Sequence, residues 1–118
     1  MYSTADMRLE AQEALERVWF VKLLEVTQYT DRVLLLRLHI RSGLFVQAFL
    51  SEVSGSLYFA LIEGDRRIYG IDREAGEWHV HPYEAPDTHE MLCEGLEPKP
   101  LLTALARIEQ IFLKHEVL

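Results

Sequence analysis

The chain has 118 residues, 49% of them hydrophobic and 26% charged, which fits one globular domain with its own core and excludes a disordered or collagenous polypeptide. Its formal charge of −7 and its single cysteine, Cys93, exclude a uniformly basic nucleic-acid binder and an intrachain disulfide framework. No stretch reaches the ~20 apolar residues of a spanning helix and the first residues show no leader pattern, so a cytoplasmic location away from membranes is expected.

The charge is unevenly placed. Glu74 to Pro98 holds seven acidic residues and no Lys or Arg, and the remainder balances at twelve acidic against twelve basic. Nine of those twelve are Arg, whose planar fork suits phosphate and carboxylate, so a local basic site remains open. The four segments expected of the single domain 1–118 are a helix over 1–18, an antiparallel sheet over 19–82, an acidic loop over 83–99 and a helix over 100–118.

Ser3 stands three residues before Asp6, a variant capping box, and Met7, Ala11, Ala14, Leu15 and Val18 then fall on one helical face. From Trp19 the β-branched and aromatic character of "WFVKLLEVTQY" predicts a strand running to Tyr29. The turn pairs Thr30-Asp31, Ser42-Gly43, Ser54-Gly55 and Gly64-Asp65, with a longer turn over Asp72–Gly76, punctuate β-rich runs in the manner of consecutive hairpins. The expected fold is α+β: an antiparallel meander of about five to six strands between two helices. Pro100 opens the second helix, with Leu101, Leu105, Ile108 and Phe112 at helical spacing.

Two-residue turns would put Ile40 opposite Phe45, Phe49 opposite Ala60, Ile62 opposite Arg67, and Ile71 near Trp78. One sheet face then collects Leu36, Leu38, Ile40, Phe45, Phe49, Ala60, Ile62, Tyr69, Ile71, Trp78 and Val80 as core. The other face is centred on Val46, Ala48, Leu50, Phe59, Leu61 and Ile68, flanked by Arg37, His39 and Arg41 on one side and Arg66, His79 and His81 on the other. A slip of one residue would exchange faces.

His79 and His81 in "GEWHVHP" point the same way about 6.6 Å apart at the backbone, so they could share a metal ion with His89, Asp72 or Glu77 as third ligand. The competing reading is a solvated, hydrogen-bonded pair. His39, three strand spacings or about 14 Å away, is not a ligand in that arrangement. Histidines can also exchange protons while arginines hold phosphate, so His79, His81, His39 and Tyr69 are catalytic candidates, and Arg37, Arg41 and Arg66 substrate-binding candidates, for RNA chemistry without a metal or other cofactor. The ordinary alternative for the arginines is pairing with neighbouring carboxylates. Cys93 lies among Glu90 and Glu94, which disfavour a reactive thiolate.

The order of an N-terminal helix, "LYFAL", "RRIYGID", a Trp and His pair before Pro82, the later His89 and the helix of "EPKPLLTALARIEQIF" resembles the TumE-type family of small toxins from Leu34 to Phe112. The resemblance implies a toxin component of a toxin–antitoxin pair, a helix-turn-helix antitoxin as partner and, by extension from other small toxins, action on RNA. Two further readings stand beside it: a metal-binding protein using His79, His81 and His89, and a non-enzymatic interaction module docking through Glu84–Glu97. The apolar first strand, with Val21, Leu23, Leu24 and Val26, is expected to seek cover in a homodimer or under the N-terminal helix.

Overall fold

The computed structural model describes all residues from Met1 to Leu118. Helix α1 (Thr4–Arg17) is followed by strands β1 (Leu23–Tyr29), β2 (Val33–Arg41), β3 (Leu44–Ser51), β4 (Leu57–Glu63), β5 (Arg66–Glu74), β6 (Glu77–His81) and β7 (Glu90–Leu92), then helix α2 (Pro100–His115). The strands form one antiparallel sheet in the order β1-β2-β3-β4-β5-β6-β7, the α+β meander expected with one strand more. The addition is β7, inside the segment read as a loop, where three residues pair with β6. No helix is long and apolar enough to cross a membrane.

The capping box of α1 is closed in both directions: the Ser3 hydroxyl accepts from the Asp6 amide, and the Asp6 carboxylate accepts from the Ser3 amide. Met7, Ala11 and Ala14 face the sheet as expected, while Leu15 is exposed. Leu101, Leu105, Ile108 and Phe112 of α2 are buried in the same core, and Phe112 packs edge-on against Phe20 at 5.0 Å between ring centroids. Helix α1 lies against β1, β2 and β3, and α2 lies against α1 and β4, so both helices cover one face of the sheet.

The core face differs from the expected one in its two middle strands. It is built by Leu34, Leu36, Leu38 and Ile40; Leu44, Val46, Ala48 and Leu50; Leu57, Phe59 and Leu61; Tyr69 and Ile71; Trp78 and Val80. The flanks follow the sequence reading, whereas β3 and β4 are turned over: Phe45, Phe49 and Ile62 point away from the core. Two local features cause this. A bulge between His39 and Arg41 sets His39, not Ile40, opposite Phe45. The β3–β4 connection is not a two-residue turn on Ser54-Gly55 but a loop closed by backbone bonds between Ser51 and Ser56 and by Gly55 to Ser51, which sets Phe49 opposite Tyr58 rather than Ala60. The pairing of Ile62 with Arg67 is as expected, and Ile71, directly opposite Val80, has Trp78 as its diagonal neighbour on the core face, as expected.

Candidate functional site

The face without helices carries the polar groups in rows running across the strands. One row joins Arg37, Gln47, Ala60, Gly70 and His81 on β2 to β6, and the next joins Leu35, Phe49, Tyr58, Asp72, His79 and Met91 on β2 to β7. Alternation along β6 buries Trp78 and Val80 and leaves His79 and His81 on this face, each with a side chain only 16% exposed.

The β5–β6 turn fixes what meets them. Ala75 and Gly76 have φ of 50° and 80°, the geometry of a tight hairpin turn with both central residues left-handed, and this sets Asp72 opposite His79 and Gly70 opposite His81. The Asp72 carboxylate therefore lies between two imidazoles, Oδ1 at 3.8 Å from His79 Nδ1 and Oδ2 at 3.5 Å from His81 Nε2. Both separations are too long for good hydrogen bonds. His89, just before β7, lays its ring against both histidines, with centroids 4.2 Å from His79 and 4.9 Å from His81. Glu77 Oε2 is 3.9 Å from His79 Nε2 on an exposed side chain.

Arg67 completes the cluster. A register shift on β4–β5 pairs Leu61 with Tyr69 but Ile62 with Arg67, which brings Arg67 onto the open face. Its Nη2 lies 3.3 Å from His81 Nδ1 and also donates to the Pro86 carbonyl at 3.3 Å. A guanidinium only donates, so this contact leaves the lone pair of His81 on Nδ1 and its ring proton on Nε2, facing Asp72. Gly70 makes the room: a Cβ there would stand 3.1 Å from Arg67 Cδ. His79 Nδ1 is buried with no hydrogen-bond partner.

The remaining sequence candidates are dispersed. His39 is on the open face but four strand spacings from β6, about 19 Å rather than the 14 Å of three spacings, and it bonds Glu25 Oε1 at 2.8 Å. Arg37 donates to Gln47 Oε1 at 3.2 Å and its guanidinium stacks on Phe45 at 4.7 Å. Arg41 is paired with Glu63 at 3.1 Å, and Arg66 is exposed at the β4–β5 turn near Asp65 and Glu84. Tyr69 lies on the core face, where its hydroxyl accepts from Arg107 Nε at 3.0 Å with the sheet between it and the histidines. Between Arg37 and the cluster runs an aromatic strip in which Phe49 and Tyr58 stack at 5.3 Å and Gln47 donates to the Tyr58 hydroxyl at 3.0 Å. Sequence reasoning named Asp72 only as one of several third ligands and did not select Arg67; the two-residue Ala75-Gly76 turn was the available signal for the former.

A cavity of about 910 Å³ lies on the helix side and is lined by Tyr2, Glu10, Glu13, Arg73, Trp78 and Lys99 among others. Its charges are already satisfied internally: Arg73 pairs with Glu97 at 2.9 Å, Lys99 with Glu13 at 3.0 Å, and Glu10 accepts from Tyr2 and from the Leu102 amide. It holds none of the histidines. In comparisons with known proteins, no family model, curated protein or solved structure matches this chain.

Proposed function

We propose that the chain is the toxin component of a TumE-type toxin–antitoxin pair and acts on RNA at the open face of its sheet. The observation that supports this reading is the gathering of His79, His81, His89, Asp72 and Arg67 on one uncovered face, beside the half-buried strip of Phe49 and Tyr58. RNA cleavage of this kind needs one group to take the ribose 2′-hydroxyl proton as that oxygen attacks phosphorus, and one to protonate the departing 5′-oxygen. His79 and His81 take these roles in the proposal, Arg67 holds the phosphate, and the aromatic strip stacks a neighbouring base. Products are a 2′,3′-cyclic phosphate and a 5′-hydroxyl. A helix-turn-helix antitoxin is the proposed partner.

Inducible expression tests this, with and without the adjacent gene. The wild-type chain alone is expected to arrest growth and fragment cellular RNA, and His81→Ala is expected to do neither while remaining folded. Normal growth with intact RNA under strong expression of the wild-type chain would rule the reading out.

A further inference from the structure

We propose that Asp72, His81 and His89 form a binding site for one divalent transition-metal ion of the zinc class, with His79, outside that group of three, close enough to turn in as a fourth ligand. The ligand atoms of the first three lie within 4.8 Å of one another. Metal–ligand bonds of 2.0–2.1 Å in a tetrahedral site put neighbouring donor atoms about 3.3 Å apart. Asp72 Oδ2 and His81 Nε2 already stand at 3.5 Å, a separation too long for a strong mutual hydrogen bond and close to that of two ligands of one ion. The third ligand, His89, comes from a connecting segment rather than a paired strand, so its ring can close the remaining distance.

The bland alternative, a carboxylate paired with two imidazoles, leaves one feature without a cause. His79 Nδ1 is buried, makes no hydrogen bond and stands 3.8 Å from Asp72 Oδ1. A buried polar nitrogen without a partner costs stability, and coordination would satisfy it. Several imidazoles with one carboxylate select Zn²⁺, Co²⁺ or Ni²⁺ over Mg²⁺ and Ca²⁺, which favour oxygen ligands. Two ligands are held on paired strands β5 and β6, which supplies rigidity. Besides the closing of the His89 ring, binding requires a change at His81: for its Nε2 to coordinate, its proton moves to Nδ1, and Arg67 turns away from Nδ1 while keeping its bond to the Pro86 carbonyl.

The binding claim stands without the RNA reading, although the two share a cluster. An ion there would occupy lone pairs that proton transfer needs, so on the RNA reading the loaded chain is the silent form.

The test is calorimetric titration of the chelator-stripped, full-length chain with Zn²⁺ alone, then with Mg²⁺ alone. One Zn²⁺ per chain is expected, together with a raised melting temperature and no saturable Mg²⁺ binding. Asp72→Asn and His89→Asn, an isosteric change and an exposed site, are expected to stay folded and to weaken Zn²⁺ binding more than the about 10- to 100-fold typical of losing an outer-sphere partner. Co²⁺ is expected to give a visible tetrahedral d–d band that both variants lose. No uptake near one equivalent, equal binding of Mg²⁺, or unchanged affinity in His89→Asn would overturn the site. A chain that takes up no metal yet loses RNA cleavage on His81→Ala sinks this inference alone, and uptake without any effect on growth or RNA sinks the RNA reading alone.

Discussion

Glu10 is a carboxylate on α1 that acts as the missing cap of α2. The N-cap residue of α2, Lys99, makes no side-chain cap bond, and the Leu102 amide donates instead to Glu10 Oε2 at 2.6 Å while the Tyr2 hydroxyl donates to Oε1. Glu10→Ala leaves both donors unmatched and is expected to cost about 3 kcal/mol in urea unfolding. Burial, the largest influence, pushes the Glu10 carboxyl above its ordinary value. A raised carboxyl contributes stability that is fully present below the ordinary value and lost as pH rises through the folded one, so this part of the wild-type stability falls with rising pH and is absent from Glu10→Gln. Asp6 and Glu52 have the opposite sign. Backbone amides of Ser3 and Thr4 hold their carboxyls below the ordinary value, so their contribution is present above it and lost on acidification. Urea midpoints measured across acidic pH for wild type, Glu10→Gln and Glu52→Gln separate the two limbs. At the cluster, Arg67→Gln replaces a group that only donates with one whose amide oxygen can accept from His81 Nδ1, and is expected to tighten Zn²⁺ binding about 10-fold by calorimetry; weaker binding would remove His81 Nε2 from the ligand set.

At the scale of elements, α2 divides sharply between a buried and an exposed face. Leu105→Ala is expected to cost about 3 kcal/mol in denaturant unfolding, and Leu113→Ala, 64% exposed, less than about 0.5 kcal/mol. Helix faces of this kind were legible because Met7, Ala11 and Ala14, or Leu101, Leu105 and Ile108, recur at a spacing that depends on nothing outside the helix. Strand faces were less so. The alternation in β3 is apolar on both sides, Leu44, Val46, Ala48 and Leu50 against Phe45 and Phe49, so only pairing register decides which set is core, and register was set by a bulge and a serine-rich loop whose hydrogen bonds no periodicity reports. In β6 the alternation is unambiguous, Trp78 and Val80 against His79 and His81, and there the reading held. Strand β7 hid in acidic composition: Glu90 to Leu92 becomes a strand by pairing with β6, not by its own preference. The convergence of Arg67 on the histidines likewise comes from a register shift between neighbouring strands, beyond the reach of any local pattern, whereas that of Asp72 follows from the short Ala75-Gly76 turn.

For the whole molecule, the two ends of the sheet are unlike. Strand β1 is an uncovered seven-residue edge on which Leu23, Val26 and Tyr29 are exposed, although Val21, expected to share that edge, is buried in the core. Strand β7 is three residues long and begins on Glu90, within the segment that carries the excess negative charge. Unpaired strand edges are templates for further strands, and shortness and charge are the usual protections. Sedimentation at rising concentration is expected to show self-association that Val26→Lys abolishes without loss of folding. Association through β1 alone would be self-terminating: two chains meeting β1 to β1 would leave only their short, charged β7 ends outward, a two-fold closed pair with no free template from which a fibre could extend.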